Sequence, residues 1–224
     1  MKKFMTGALA LSMTAFAPSA MAAVQTVDFE GLSAGTVVTN QLSPLLTVSA
    51  TNKNGNQARQ AMIFDTNNFT GEDDDLAAPI TDMGGQSKDF GNVLIISEDN
   101  NASDPDDAAA GGIIEFVFGV STTVFSLDAI DINDQEGIEV TLFDENDVQI
   151  GLPIVNTFTL ADNQFMTLDL GAVQGVVRML VRLESSGAID NLVVDPVPLP
   201  AALPFMATGL AGLAWMRRRR KVAA

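Results

Sequence analysis

The 224-residue chain contains no cysteine, no histidine and no tyrosine, and its single tryptophan is Trp215. Without cysteine there is no disulfide framework, and without cysteine and histidine there is no thiolate or imidazole metal site. Ser-His-Asp and Cys-His catalysis and zinc hydrolysis of the His-Glu-x-x-His type are excluded on the same ground. No Gly-rich phosphate loop with its lysine occurs. Basic residues are also scarce, 12 against 28 acidic ones, for a formal charge of −16.

The charges that exist are unevenly placed. Lys2 and Lys3 open the chain, and Arg217, Arg218, Arg219, Arg220 and Lys221 close it. Five basic residues remain in the interior against all 28 acidic ones, a formal charge of −23 between the two ends. Such a body repels nucleic acid and anionic membrane and attracts divalent cations. Acidity of this kind also serves solubility alone.

The N-terminus has the order of a Sec signal peptide over residues 1–22. A short basic start is followed by an uncharged apolar run from Phe4 to Phe16, and then by Ala20-Met21-Ala22. The small residues Ala20 and Ala22 suit signal peptidase, with cleavage after Ala22. At the other end Pro196, Pro198, Pro200 and Pro204 precede an apolar stretch over 199–216 and a basic cluster over 217–221. Eighteen residues at 1.5 Å each reach about 27 Å, enough for a thin hydrocarbon core. The basic cluster then stays cytoplasmic, which leaves the body on the far side of the inner membrane.

The run Val197-Pro198-Leu199-Pro200-Ala201, the later Gly209-Leu210-Ala211-Gly212-Leu213 and the arginine block resemble the VPLPA variant of the PEP-CTERM sorting tail. The resemblance covers about 28 residues. It implies export in a Gram-negative bacterium, recognition by an exosortase, and transfer or release of the body at the cell surface. Leu199 stands where the name-giving motif has glutamate. A permanent membrane anchor is the alternative for this segment.

Residues 23–195 form the expected folded domain, long enough for one substantial core. Short segments rich in Val, Ile, Phe and Thr, bounded by Gly, Asn and Asp, predict strands at 24–29, 45–50, 61–64, 92–97, 112–118, 122–132, 137–143, 154–160, 165–170, 176–184 and 187–194. Ile114, Phe116 and Phe118 share one face by alternation, and Asp144-Glu145-Asn146-Asp147 reads as a hairpin turn. The fold class predicted is all-β, an antiparallel β-sandwich of jelly-roll-like type. The stretches 51–60 and 65–91 read as long loops. Phe69 and Phe90 are expected to be exposed, and Phe116, Phe118, Phe125 and Phe143 to be core.

Two loops concentrate carboxylates. Asp65, Glu72, Asp73, Asp74 and Asp75 fall in one, and Glu98, Asp99, Asp104, Asp106 and Asp107 in the other. Calcium takes six to eight oxygens from carboxylates, Asn side chains and carbonyls, and both loops supply these. They do not follow the EF-hand pattern: counted from Asp65, Thr70 stands at the glycine position and Leu76 at the glutamate position. Solvated acidic loops are the plain alternative. The second-rank candidate ligands are Asp65, Asp73, Asp75, Asp104, Asp106 and Asp107.

The first-rank candidates come from a further resemblance. Val27-Asp28-Phe29-Glu30-Gly31 and Ser186-Gly187-Ala188-Ile189-Asp190-Asn191-Leu192-Val193-Val194 are similar to the first and last strands of jelly-roll carbohydrate-binding modules. That likeness implies that Glu30 and Asp190, supported by Asp28, meet at a structural calcium ion. An edge or turn aspartate is the ordinary alternative for Asp190. The body also resembles uncharacterised domains carried ahead of such sorting tails, at Ile63-Phe64-Asp65, Asp75-Leu76, Gly91–Ile96 and Gly111-Gly112.

Together these features point to a non-catalytic, calcium-stabilised surface module associated with extracellular polysaccharide or biofilm matrix. A metal-free, self-associating adhesive protein is one alternative. A glycan-cleaving enzyme built on two carboxylates is another.

Overall fold

Short hydrophobic runs with period-two alternation cannot bury both faces alone, so they assemble into sheets. The computed structural model describes residues 23–197, apart from 54–57, 71–72, 133–136, 157–159 and the side chains of 58 and 59. The signal segment with Ala20 and Ala22, the sorting residues Pro198, Leu199, Pro200 and Ala201, the tail beyond them, and Glu72 lie outside the described residues. Among the described residues no helix is long and apolar enough to cross a membrane.

Twelve strands carry the fold: β1 Gln25–Val27, β2 Leu46–Asn52, β3 Ala58–Arg59, β4 Ala61–Asp65, β5 Ile80–Asp82, β6 Ser87–Lys88, β7 Asn92–Ile96, β8 Gly112–Ile130, β9 Ile138–Phe143, β10 Ile154–Asn156, β11 Gln164–Leu183 and β12 Ala188–Pro196. One 3-10 turn, Asp74–Leu76, is the helical element among the described residues. All pairings are antiparallel except a short parallel contact of β5 with β11. Ala22–Val197 forms one compact unit.

The two long strands organise the rest. The first half of β8 pairs with β2 on one side and with the second half of β11 on the other. Its second half pairs with β12 and with the first half of β11. The change of neighbours falls at irregularities in β11 between Asp169 and Arg178, where Gly171 and Gly175 take φ of +80° and +82°. Left-handed backbone there lets the strand bend without breaking its pairing.

Alternation then builds the core. Val48, Phe116, Met179 and Leu142 form one row across β2, β8, β11 and β9, and Ala50, Ile114, Val181 and Val140 form the next. All eight are buried. Val124, Leu127, Leu168, Ile189, Leu192 and Val194 from the other strand halves join the same cluster. Each large side chain so buried contributes about 1.5–3 kcal/mol.

Strand β4 is buried on both faces. Ala61 and Ile63 face the main core, while Met62 and Phe64 belong to a second cluster with Leu76, Ile80, Phe90, Val93 and Ile95. The stretch over 65–91, predicted as loop, therefore carries β5, β6, the 3-10 turn and a lid of apolar side chains over the back of β4 and β7. Phe90, expected to be exposed, is 3% exposed; Phe69 is exposed as expected. Phe116 and Phe118 are core, but Phe125 and Phe143 are only half-buried, and the Arg178 guanidinium lies 3.7 Å from the Phe143 ring centroid.

Candidate functional site

Strand β1 pairs with β12 so that Val27 stands opposite Leu192. Continuing the pairing brings the Asp28–Glu30 turn to the start of β12, where Asp190 sits. The turn is tight: the Leu32 N–H donates to the Phe29 carbonyl, and the Glu30 N–H donates to Asp28 Oδ1 at 3.3 Å. Phe29 has φ +56° and a ring 2% exposed, so core burial holds a backbone geometry that costs a non-glycine residue about 1–2 kcal/mol. Asp28 and Glu30 are exposed on either side of it.

These residues open onto a cleft of about 400 Å³, lined by Asp28, Glu30, Asp190 and Asn191 on one side and by Asn67, Lys88, Asp89, Phe90 and Gly91 on the other. The three first-rank residues of the sequence thus share one cleft. Glu30 Oε1 accepts the Asn92 N–H at 2.8 Å. Gly91 has φ +63°, and a Cβ there would run into the Glu30 carboxylate. Asp89 Oδ1 accepts from Asn67 Nδ2 at 2.8 Å and from the Gly91 N–H at 3.0 Å.

Asp190 is the buried member, 2% exposed. Its Oδ2 accepts from Asn191 Nδ2 at 2.7 Å, whereas Oδ1 is buried without a hydrogen-bond partner. Burial pushes its carboxyl up to about 8; the Asn191 backbone and the Lys88 ammonium offset this in part, and Asp128 and Asp28 add to it. Asp128 lies opposite Asp190 in the β8–β12 pairing. It is 5% exposed and its Oδ2 receives Lys88 Nζ at 2.8 Å and Asn191 Nδ2 at 3.0 Å. The Lys88 ammonium also lies 4.1 Å from the Phe90 ring centroid, a cation–π contact that covers that face of the ring.

The acid-rich loops meet elsewhere. The Asp107 N–H donates to Asp73 Oδ2 at 2.7 Å, which joins the 66–79 segment to the 98–110 segment. The Asp107 carboxylate is 4% exposed and accepts from Ser186 Oγ at 2.8 Å and from the Gly187 N–H at 2.6 Å. Burial first, and then the neighbouring Asp73, push Asp107 up to about 8. Burial also raises Asp73 to about 6, partly opposed by the Asp107 N–H, with Asp75, Asp106 and Glu98 adding repulsion. Asp106 is raised by burial and then by Asp99, Glu98 and Asp104. Asp75 Oδ1 and Asp106 Oδ1 are buried and unpartnered.

The other second-rank residues lie outside this contact. Asp65 ends β4 and accepts the Asn67 N–H at 3.0 Å, closing a turn. Asp104 is exposed, and its N–H donates to the Asn101 carbonyl. Among the described residues no three acidic side chains are gathered into a metal-holding group in either place. Val197 of the sorting motif is exposed, and its N–H donates to the Ser121 carbonyl at 2.9 Å, directly after β12.

Sequence reasoning missed Lys88, Asn67, Asp89 and the buried Asp128. The scarcity of interior cations was the available signal for Lys88, which is one of five. Nothing in the sequence pattern of β8 marks Asp128, because β8 is buried on both faces over Leu127–Ile130 and alternation there no longer separates core from surface.

No family model and no curated protein matches the chain by sequence. Solved structures give distant likenesses. A Streptococcus pneumoniae fucose-binding module is 15% identical, over 48% of this chain and 72% of its own, with a TM-score of 0.29. Discoidin II from Dictyostelium discoideum is 9% identical, over 74% and 60%, with a TM-score of 0.36. An allantoicase is 13% identical, over 80% and 50%, with a TM-score of 0.34. At such TM-scores none of these likenesses fixes a topology or a ligand for this chain.

Proposed function

We propose that the chain is an exported, non-catalytic surface module, a jelly-roll-like β-sandwich that associates with extracellular polysaccharide. The observation that carries this reading is the cleft beside β1 and β12. It is in the size range of small-ligand sites, ~300–1,000 Å³, and its lining of Asp28, Glu30, Asn67, Asp89 and Asn191 offers the acceptors and amide donors that sugar hydroxyls pair with. The signal-like start and the VPLPA-like end supply the route: signal peptidase, transient insertion in the inner membrane, and handling by an exosortase.

Calcium belongs to the same reading as a brace. Within the carboxyl set of the cleft stands the Lys88 ammonium, paired with Asp128 at 2.8 Å, so the cleft already holds one fixed counter-charge. The contact between the two acidic loops has no such counter-charge among the described ion pairs, and it has two unpartnered buried oxygens, on Asp75 and Asp106. Asp73, Asp75 and Asp106, which are not gathered into a metal-holding group without the ion, are the residues that calcium would draw together, completed by loop carbonyls and water. A bound calcium neutralises their mutual repulsion and pins the two loops together.

Affinity electrophoresis of the full chain through gels containing bacterial exopolysaccharides tests the function. Retardation without release of reducing ends is expected. Migration unchanged in every gel, or release of reducing ends, contradicts it.

One feature favours the self-associating alternative. Val148, Leu152 and Val155 are 58%, 87% and 55% exposed around β10, which ends the sheet order. An apolar edge of this kind pairs readily with a second edge. Concentration-dependent assembly in chelator, abolished by Val155→Lys, would favour that reading.

A further inference from the structure

We propose that the cleft recognises a protonated amine on a sugar ring, its ammonium held by Asp190 together with Asp28 and Glu30; this rests on the reading that the cleft is the glycan site.

Charge gives the first reason. The lining supplies four carboxyl groups, from Asp28, Glu30, Asp89 and Asp190, against the one ammonium of Lys88. That ammonium is already engaged, at 2.8 Å, by Asp128, which is not part of the lining. An acidic or sulfated sugar entering here meets an excess of like charge, and a cationic one meets its complement.

Asp190 gives the second reason, independent of the charge count. It is 98% buried by its 2% exposure, it lines the cleft, and its Oδ1 has no partner. A buried acceptor left unfilled is costly, and a ligand donor that fills it recovers that cost. An ammonium brings three donors, enough for Asp190 and for one further acceptor on each side.

Shape decides between an ion and an organic cation. The cleft is far larger than one ion, and among the described residues its carboxyl groups do not converge into a metal-holding group. Hydrogen bonds to an ammonium tolerate that spread, whereas calcium requires oxygens at about 2.3–2.6 Å. Aromatic stacking is not available to a sugar ring here, because Phe90 is 3% exposed beneath Lys88 and the exposed Phe69 is not in the lining. Selectivity therefore rests on the polar groups. Asn67, Asp89 and the amide oxygen of Asn191 remain for ring hydroxyls.

Calorimetric titration of the full chain with a short glucosamine oligomer tests this, at about pH 6, where the sugar amine carries its proton. The oligomer is expected to bind at least about tenfold more tightly than its fully N-acetylated counterpart of the same length and than a galacturonate oligomer. Asp190→Asn is expected to weaken it by about tenfold or more, because an amide cannot give up a proton and pair with the ammonium as a carboxylate does. Glu30→Gln, at an exposed position that does not threaten folding, is expected to weaken it severalfold. Equal binding of the N-acetylated oligomer, preference for the galacturonate, or full affinity in both variants overturns the amine while leaving a glycan site standing. An oligolysine that binds as tightly as the glucosamine oligomer overturns the assignment to sugar. Failure of every oligosaccharide to bind overturns the glycan reading itself.

Discussion

At the scale of single residues, the cleft depends on a few positions where backbone and charge are both constrained. Gly91 combines a φ of +63° with the Glu30 carboxylate at the place a Cβ would occupy. Gly91→Ala is expected to destabilise by roughly 2 kcal/mol or more, from left-handed strain and displacement of Glu30. Urea denaturation measures it, and a midpoint unchanged from the parent contradicts the packing described. Asp190 behaves differently. Its carboxyl is raised to about 8, above the 3.8 of an exposed aspartate. The folded chain therefore holds a proton there that the unfolded chain has lost, and this contribution is present at low pH and lost as pH rises towards 8. Asp190→Asn is expected to match the parent near pH 4 and to exceed it near pH 8, by roughly 1–3 kcal/mol, in chemical denaturation without ligand. A variant less stable than the parent at pH 8 would show that the Asp190 charge is compensated in the protein. That Glu30 and Asp190 lie close together was legible in the sequence through the likeness of two short strand motifs, and both line one cleft. The burial of Asp190 and its pairing through Asn191, Asp128 and Lys88 was not, because each of those contacts spans the fold or depends on rotamer.

At the scale of elements, period-two alternation identified most of the sheet. Ile114, Phe116 and Phe118 do share the core face of β8, and the Asp144–Asp147 turn does join β9 to β10, with Asp147 at φ +60°. Alternation failed where bulges interrupt it. The two strands expected over 112–132 are the single β8, and the two over 165–184 are the single β11, since glycine and left-handed residues shift register without ending the pairing. It failed again at β3, β5 and β6, which are two or three residues long and too short to show a period. The 65–91 stretch looked like loop because its apolar residues are widely spaced. Yet Leu76, Ile80 and Phe90 are 0%, 0% and 3% exposed over the back of β4 and β7. Leu76→Ala is therefore expected to cost about 2–5 kcal/mol, as in a strand core and unlike a loop substitution. A loss below about 0.5 kcal/mol in guanidinium denaturation would contradict a second core.

At the scale of the whole molecule, the dominant fact is a formal charge of −23 between the two ends, with ten of the 28 acidic residues in two loops that touch at Asp73 and Asp107. Asp73 is raised to about 6 and Asp107 to about 8, both first by burial, so both add to the loss of stability expected as pH rises from about 4 to 8 without a cation. Asp144, held below the usual carboxylate range by the Val148 and Asn146 N–H groups, acts in the opposite sense, its contribution being lost as pH falls. The acidic runs made a cation site expected from composition alone. Which carboxylates meet was not legible, because Asp73 and Asp107 are joined by a hydrogen bond between distant segments, while Asp65 closes a local turn with the Asn67 N–H. The most direct test of the account is thermal unfolding of the full chain near neutral pH, in chelator and in ~5 mM calcium, well above the ~10⁻⁴ M affinity of extracellular calcium modules. Calcium is expected to raise the melting temperature by about 5 °C, and the rise is expected to be absent in an Asp75→Asn, Asp106→Asn double variant. Superimposable curves for the parent with and without calcium would contradict it.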